Sequence, residues 1–376
     1  MKGMRHHATI MATAALFVVA TMGALLSASP AGAKTAAASP KSIHMVFKST
    51  AAFIPHPPNG ATDLYHCSVI NPKLAQNMMV TSTSFHPGTK EVHHAILYRV
   101  APQDAAQAEA MNNGGKGWTC FGEPSVSSDS IGEFSGMPWL CGWSPGHGAD
   151  TLPAGLGVPL PKGSLFIMQI HYNTLAGDKP DRSWISLTAT PTAGSDLKPV
   201  TIQQLPAPPD IPCPANVSGP LCNRAASLAD LGQRFGQAAV LTVFGLETIC
   251  GRNPVNPPAG DSTSCNWPVR QDEVIQRITP HMHLLGKSMT ITLDPGTPQA
   301  RTILSVNNYN FDSQVAYNIN PPVHVGPGDT IGVSCTWDPT LRQFNPQTKN
   351  LPPRFITWGD GSSDEMCLAV VTTTAN

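Results

Sequence analysis

Ser164–Asn173 reads SLFIMQIHYN, apolar at nearly every position over a length that suits a strand. Such a short, near-continuous run marks a strand covered on both faces rather than an amphipathic helix. Two other stretches read the same way. Asp329–Trp337 (DTIGVSCTW) follows the turn Gly326-Pro327-Gly328, and Asp364–Val371 (DEMCLAVV) is a short apolar run near the C-terminus. From Ile43 onward, strand-like pieces alternate with Pro/Gly turns. The 32 glycines and 37 prolines among 376 residues suit many short strands better than long helices. The expected fold class is all-β, of sandwich type.

The length leaves room for two domains. Charged residues make up only 12% and the net charge is −1. A nucleic-acid binder would show a basic stripe, and a disordered chain would carry high net charge with few apolar residues. The 41% hydrophobic content can fill a sizeable core. Around Thr190–Pro214 the chain turns proline-rich and loses periodicity, which puts a domain boundary near 195. The expected domains are 43–195 and 196–376. Within the second, Leu221, Leu228, Leu231 and Phe235 fall on one helical stripe of Leu221–Val240. Cys213, Cys222, Cys250 and Cys265 surround it. We read a short helical, disulfide-stapled insertion over about 206–270, with three cysteine pairings open.

At the N-terminus, Lys2 and Arg5 precede an apolar run from about Ile10 to Leu26, and Ala31-Gly32-Ala33 offers a small-x-small cleavage site. The reading is a signal peptide over 1–33, then a disordered lead-in over 34–42. Its removal takes two cations and no acid, so net charge moves from −1 to −3. No second run of 18 apolar residues follows, so no stable membrane partner is expected after cleavage. A secreted or periplasmic location suits cysteines paired as disulfides.

The chemistry lies in histidines. Five fall in three strand-like contexts: Val92-His93-His94-Ala95, Gln169-Ile170-His171-Tyr172 and Pro280-His281-Met282-His283. Strand residues i and i+2 share a face, so His281 and His283 can converge on one metal. Adjacent His93 and His94 point to opposite faces, and both reach one ion only if the backbone bulges or the strand lies at an edge. Otherwise one is a core and one a surface histidine. A lone His171 in an apolar strand reads more often as a satisfied core residue. Met366, in Ser363-Asp364-Glu365-Met366-Cys367, is either core filler or a soft thioether ligand, which favours copper(I) and suits zinc poorly. Two mononuclear sites are conceivable: three imidazoles, and two imidazoles plus a thioether. His86, His147 and His324 take the bland reading, on the surface or behind a site.

In their order along the chain, these motifs resemble the copper type II, ascorbate-dependent monooxygenases. That family shows a His-His pair, a Gln-x-His-Tyr strand, a His-x-His followed by a glycine turn, and Asp-Glu-Met-Cys. The matches run from about Asp63 to Val371. Leu64-Tyr65-His66-Cys67 and Trp118-Thr119-Cys120 resemble further family elements and imply a Cys67–Cys120 disulfide. Gly332-Val333-Ser334-Cys335 likewise implies Cys335–Cys367. Cys141 then has no evident partner. The resemblance implies two jelly-roll-like β-sandwich domains, each carrying one copper, facing each other across a solvent-filled cleft. His93, His94 and His171 would hold the electron-supplying copper. His281, His283 and Met366 would hold the copper that meets O₂ and a small-molecule substrate, with ascorbate or a similar reductant. The implied reaction is hydroxylation of a C–H bond.

Gln169 shares a strand face with His171. It either hydrogen-bonds to the site or to cleft water, or is simply a polar strand residue. Tyr65 either lies near the first copper or packs. Where the family's peptide hydroxylase has an arginine, two residues before His-x-His, this chain has Thr279. Arg277 lies two further back, and Leu368 replaces an asparagine after Asp-Glu-Met-Cys. A peptide C-terminal carboxylate is therefore a poor expectation. The competing functions are a non-catalytic copper-binding or storage protein on the same scaffold and a zinc hydrolase built on the three histidines. The latter leaves Met366 and His-x-His unexplained.

Overall fold

Leu165–Asn173 is the central strand of a five-stranded antiparallel sheet, in a computed structural model that describes residues 40–376 apart from 50, 59–60, 125 and 127–137. The expected signal peptide and residues 34–39 of the lead-in lie outside the described residues. Residues 40–42 have no regular structure and run into the strand Ile43–Lys48.

Across that sheet the order is Trp118–Thr119, Asp63–Ile70, Leu165–Asn173, Val92–Val100 and Trp139–Trp143. Every residue of the central strand is buried, which explains its unbroken apolar sequence. Phe166, Met168, Ile170 and Tyr172 enter a core shared with Phe85, Leu160 and Leu187 of a second sheet. The opposite face, through Leu165 and Ile167, packs with Tyr65, Tyr98 and Ala108 of a short helix, α1 (Ala105–Met111).

The second sheet runs Ile43–Lys48, Trp184–Pro191, Met78–His86 and Leu156–Leu160, then continues into the second half of the chain. Its link is parallel, Lys198 opposite Leu156 and Pro199 opposite Gly157. Beyond Lys198–Pro206 come Cys367–Ala375, Glu273–Met282 and Tyr317–Val325, all antiparallel. A four-stranded sheet (Ser262–Pro268, Thr330–Trp337, Gly286–Leu293, Arg301–Val306) shares a core with them, centred on Ile275, Ile278, Ile291, Val333 and Val371. The fold is all-β and sandwich-like in both halves, and Ser39–Asn376 packs as one unit.

The insertion is helical over more of its length than the apolar stripe indicates. Helix α2 (Arg224–Phe235) starts at Asn223, whose side chain accepts the Ala226 N–H, and it buries Leu228, Leu231 and Phe235. Leu221 lies ahead of the helix, bridged to Arg354. Gly236, at φ +90°, turns the chain into α3 (Gln237–Ile249). Both helices pack on Trp358, Leu368 and Val370. The insertion cysteines pair as Cys213–Cys222 and Cys250–Cys265. The second bond ties the end of α3 to the Ser262–Pro268 strand.

Candidate metal centre

The His-His pair sits at a break in register. Val92 lies opposite Tyr172 and His94 opposite His171, so His93 is the extra residue of a β-bulge. The bulge turns both rings to one side. His94 Nδ1 lies 3.4 Å from His93 Nδ1 and 3.2 Å from His171 Nδ1. Three imidazole nitrogens each about 2.0 Å from one ion would stand roughly 3.3 Å apart, so this is coordination spacing. His171 Nε2–H donates to Asp63 Oδ1 at 2.9 Å, which leaves the Nδ1 lone pair facing the cluster. Burial opposes ionisation of Asp63, yet the His171 contact and the charges around it hold its carboxyl well below the usual range. Burial, with the neighbouring rings, pushes His93 and His94 well below the ordinary imidazole value. Neutral rings keep their lone pairs for a metal.

His281 lies near the end of the Glu273–Met282 strand, and His283 lies just past it. His281 Nδ1–H donates to Gln314 Oε1 at 2.6 Å, and the Gln314 amide is oriented by its own bond to the Phe311 carbonyl. His283 Nδ1–H donates to the Asp364 carbonyl at 3.2 Å. Both rings therefore present Nε2. That of His283 is buried without a partner, and burial pushes this ring down to about 3. Met282 pairs with Cys367 where the two strands end, and Met366 directly precedes Cys367. Gly286 closes the turn, because a Cβ there would meet Met282 and the Tyr309 ring at 2.8 Å. These donors fit copper: neutral imidazoles, one with an orphaned buried nitrogen, and a thioether at the adjoining strand end.

The two sets are neighbours. The rings of His94 and His281 have centroids 6.2 Å apart, and Phe311 packs at 4.7 Å from His93 and 6.3 Å from His283. The resemblance implies sets facing across a solvent-filled cleft; here they stand nearly ring to ring. Beside them lies a cavity of about 170 Å³ between the five-stranded sheet and the Cys367–Ala375 and Glu273–Met282 strands. His94, His281 and Met366 all line it.

Tyr65 stacks on His171 at 4.2 Å and donates its hydroxyl to the Asp360 carbonyl at 2.7 Å, so it both packs on the first set and ties it to the second half. Gln169 gives its amide hydrogens to the Cys120 and Gly122 carbonyls and accepts from the Tyr98 hydroxyl. Its bonds thus fix the loop at 120–122 behind the site. Cys67–Cys120 and Cys335–Cys367 are bonded, and Cys141 is a buried free thiol. His147 lines the cavity, while His86 stacks on Trp184 at 3.6 Å.

Several supporting residues were not singled out from sequence. Glu365, fully buried, accepts from the His283, Leu285 and Met366 N–H groups and from the Trp337 indole. Burial pushes it up to about 8 despite those donors. Asp364 holds Arg234 of α2 in a two-pronged pair at 2.7 Å. Asp63 accepts from Ser362 as well as from His171. Two acids opening an apolar strand, and an acid two residues before Tyr65 on its face, were the available signals.

Likeness to solved structures is weak. An allantoicase from Saccharomyces cerevisiae aligns over 85% of this chain and 80% of its own, at 7% identity and a TM-score of 0.21. The coconut allergen cocosin aligns over 90% and 84%, at 11% identity and a TM-score of 0.16. Neither carries an argument. Among curated proteins none matches the chain. One family model does match, that of the copper type II ascorbate-dependent monooxygenase C-terminal domain, over residues 263–372. That span contains His281, His283, Met366 and the Cys335–Cys367 bond. Over residues 263–372, then, this chain matches the C-terminal domain of the copper type II ascorbate-dependent monooxygenases, the family its histidine and methionine motifs resemble.

Proposed function

We propose that this protein is an exported copper monooxygenase holding two coppers per chain, one in each of domains 43–195 and 196–376. His93, His94 and His171 hold the first. His281, His283 and Met366 hold the second. The observation that carries the proposal is the cluster of His93, His94 and His171 nitrogens, with the His281 ring 6.2 Å from that of His94, beside a cavity that His281 and Met366 line. Copper, when bound, supplies one-electron redox chemistry and O₂ binding. A three-imidazole set tolerates both copper oxidation states, while a thioether favours the reduced one.

The overall change balances as R–H + O₂ + ascorbate → R–OH + H₂O + dehydroascorbate, with ascorbate giving two electrons and two protons. The chain's own part is to hold and orient. Asp63 and the Asp364 carbonyl fix which nitrogen of His171 and His283 faces the site. Glu365 anchors both ends of the His283 turn to Met366. Tyr65 stacks on His171, and Gln169 holds the 120–122 loop behind it.

Oxygen uptake by copper-loaded protein with ascorbate and a panel of small organic molecules tests this. The expected result is ascorbate-dependent O₂ consumption matched by alcohol formation. Tight copper binding with no such turnover would turn the reading to a copper-storage protein. Activity with zinc alone would turn it to a hydrolase.

A further inference from the structure

We propose that the cavity takes an uncharged, largely apolar molecule about the size of one six-membered ring, and that the Arg277–Asp150 pair sets this preference; the word substrate for that molecule rests on the function proposed above.

The floor of the cavity is a two-strand pattern. Arg277 lies opposite Thr372, Thr279 opposite Val370 and His281 opposite Leu368. A bulge interrupts the strand before Arg277, but from Arg277 to Met282 the register is regular. Arg277, Thr279 and His281 therefore share the face that looks into the cavity. Ile96, Trp139 and Trp143 contribute from the opposite sheet, and Ile202 and Trp358 close the sides. The free volume, about 170 Å³, is close to that of an engineered apolar protein cavity of roughly 150 Å³ that accepts benzene.

Charge decides the rest. Arg277 is the only lysine or arginine on the wall among the described residues. It is buried, and its guanidinium is already paired with the carboxylate of Asp150. The remaining acids on the wall are also engaged: Glu123 accepts from Gln204, and Asp360 from the Gly122 N–H at 2.8 Å. An anionic ligand would find no uncommitted side-chain cation. A cationic one would have to displace Arg277 or compete for carboxylates that already accept hydrogen bonds. Either would bring an unpaired charge into a partly dehydrated space, which is unfavourable unless a partner forms. A neutral ligand displaces none of these pairs and meets apolar walls and uncharged polar groups such as the Thr279 hydroxyl between them.

The test is calorimetric binding of benzyl alcohol, benzoate and benzylammonium to the full chain at pH 7, kept copper-free so that no metal on the wall competes with the Arg277–Asp150 pair for the ions. These share a ring and a one-carbon substituent and differ in charge. We expect benzyl alcohol to bind at least tenfold more tightly than either ion. Asp150→Asn, which leaves Arg277 uncompensated, should raise benzoate affinity at least tenfold and leave benzyl alcohol within threefold. Arg277→Gln should instead raise benzylammonium. Circular dichroism checks that each variant is folded, and the wild-type ranking decides the matter if neither is. Wild-type preference for benzoate or benzylammonium, or binding of none of the three, would overturn the proposal. Selective benzyl alcohol binding without ascorbate-dependent O₂ uptake after copper loading would sink the monooxygenase reading while leaving the ligand class intact.

Discussion

The single residue that ties most of this together is Asp63. Its carboxylate accepts from His171 Nε2 and from Ser362, so it sets the orientation of one candidate ligand and reaches toward the segment carrying Met366. Partners of this kind are typically worth 10- to 100-fold in metal affinity. Asp63→Asn should weaken copper at the three-histidine set by about that factor while leaving the other set within a few-fold, measured by competition with a copper chelator. The candidate ligands were named through the order of their motifs: spacing alone favoured only His281 and His283, left the His93-His94 bulge open and read His171 as a core residue. Asp63, Gln314 and Glu365 were not named, because each matters through a partner at least 33 positions away, and spacing along a strand does not carry that information.

At the scale of elements, helix α2 reaches the candidate metal centre through an ion pair. Arg234 grips Asp364, whose carbonyl orients His283. Both side chains are largely buried. Removing one partner of a buried pair leaves the other uncompensated and costs about 3–5 kcal/mol. Arg354, 3.6 Å from the same carboxylate, offsets part of that. Arg234→Ala should therefore lose about 3 kcal/mol in urea unfolding and loosen copper at the His281 set; a loss under 0.5 kcal/mol would contradict the anchoring role. The insertion's first helix was readable from a clean apolar stripe. Its second, α3, is apolar on most sides, with Leu241 and Ile249 exposed, so it shows no stripe to read. The Leu165–Asn173 strand and the start of Cys367–Ala375 were legible because both faces are covered, which writes apolar runs into the sequence, whereas mixed strands such as Met78–His86 and Trp184–Pro191 were not singled out.

Over the whole molecule, the closeness of the two sets was the least legible feature. It depends on how sheets from the two halves meet, through the parallel Leu156–Lys198 link and the bonds from Asp63, Tyr65 and Asn173 to residues 360–362. Crowding neutral imidazoles there has a global consequence. Burial lowers His66, His93, His94, His281 and His283 below the ordinary 6.5. Below pH 6.5 the unfolded chain therefore binds protons that the native state refuses, so stability rises with pH and falls on acidification. Glu365 and Glu247, both pushed up chiefly by burial, act in the opposite sense, but they are two groups against these five. Metal-free protein should lose several kcal/mol, to an order of magnitude, between pH 6.5 and 5, at up to about 1.4 kcal/mol per group and pH unit. Thermal unfolding across that range checks it, and a flat profile would contradict it.

The central claim is that distant histidines form two distinct soft-metal sites despite rings only 6.2 Å apart. Copper stoichiometry on the wild type, Met366→Ala, His171→Ala and the double variant tests it most directly. The account predicts two coppers per chain in the wild type, one tightly held in each single variant, and none in the double variant. One copper in the wild type, or a double variant that retains as much copper as either single one, would mean a single shared site and contradict it.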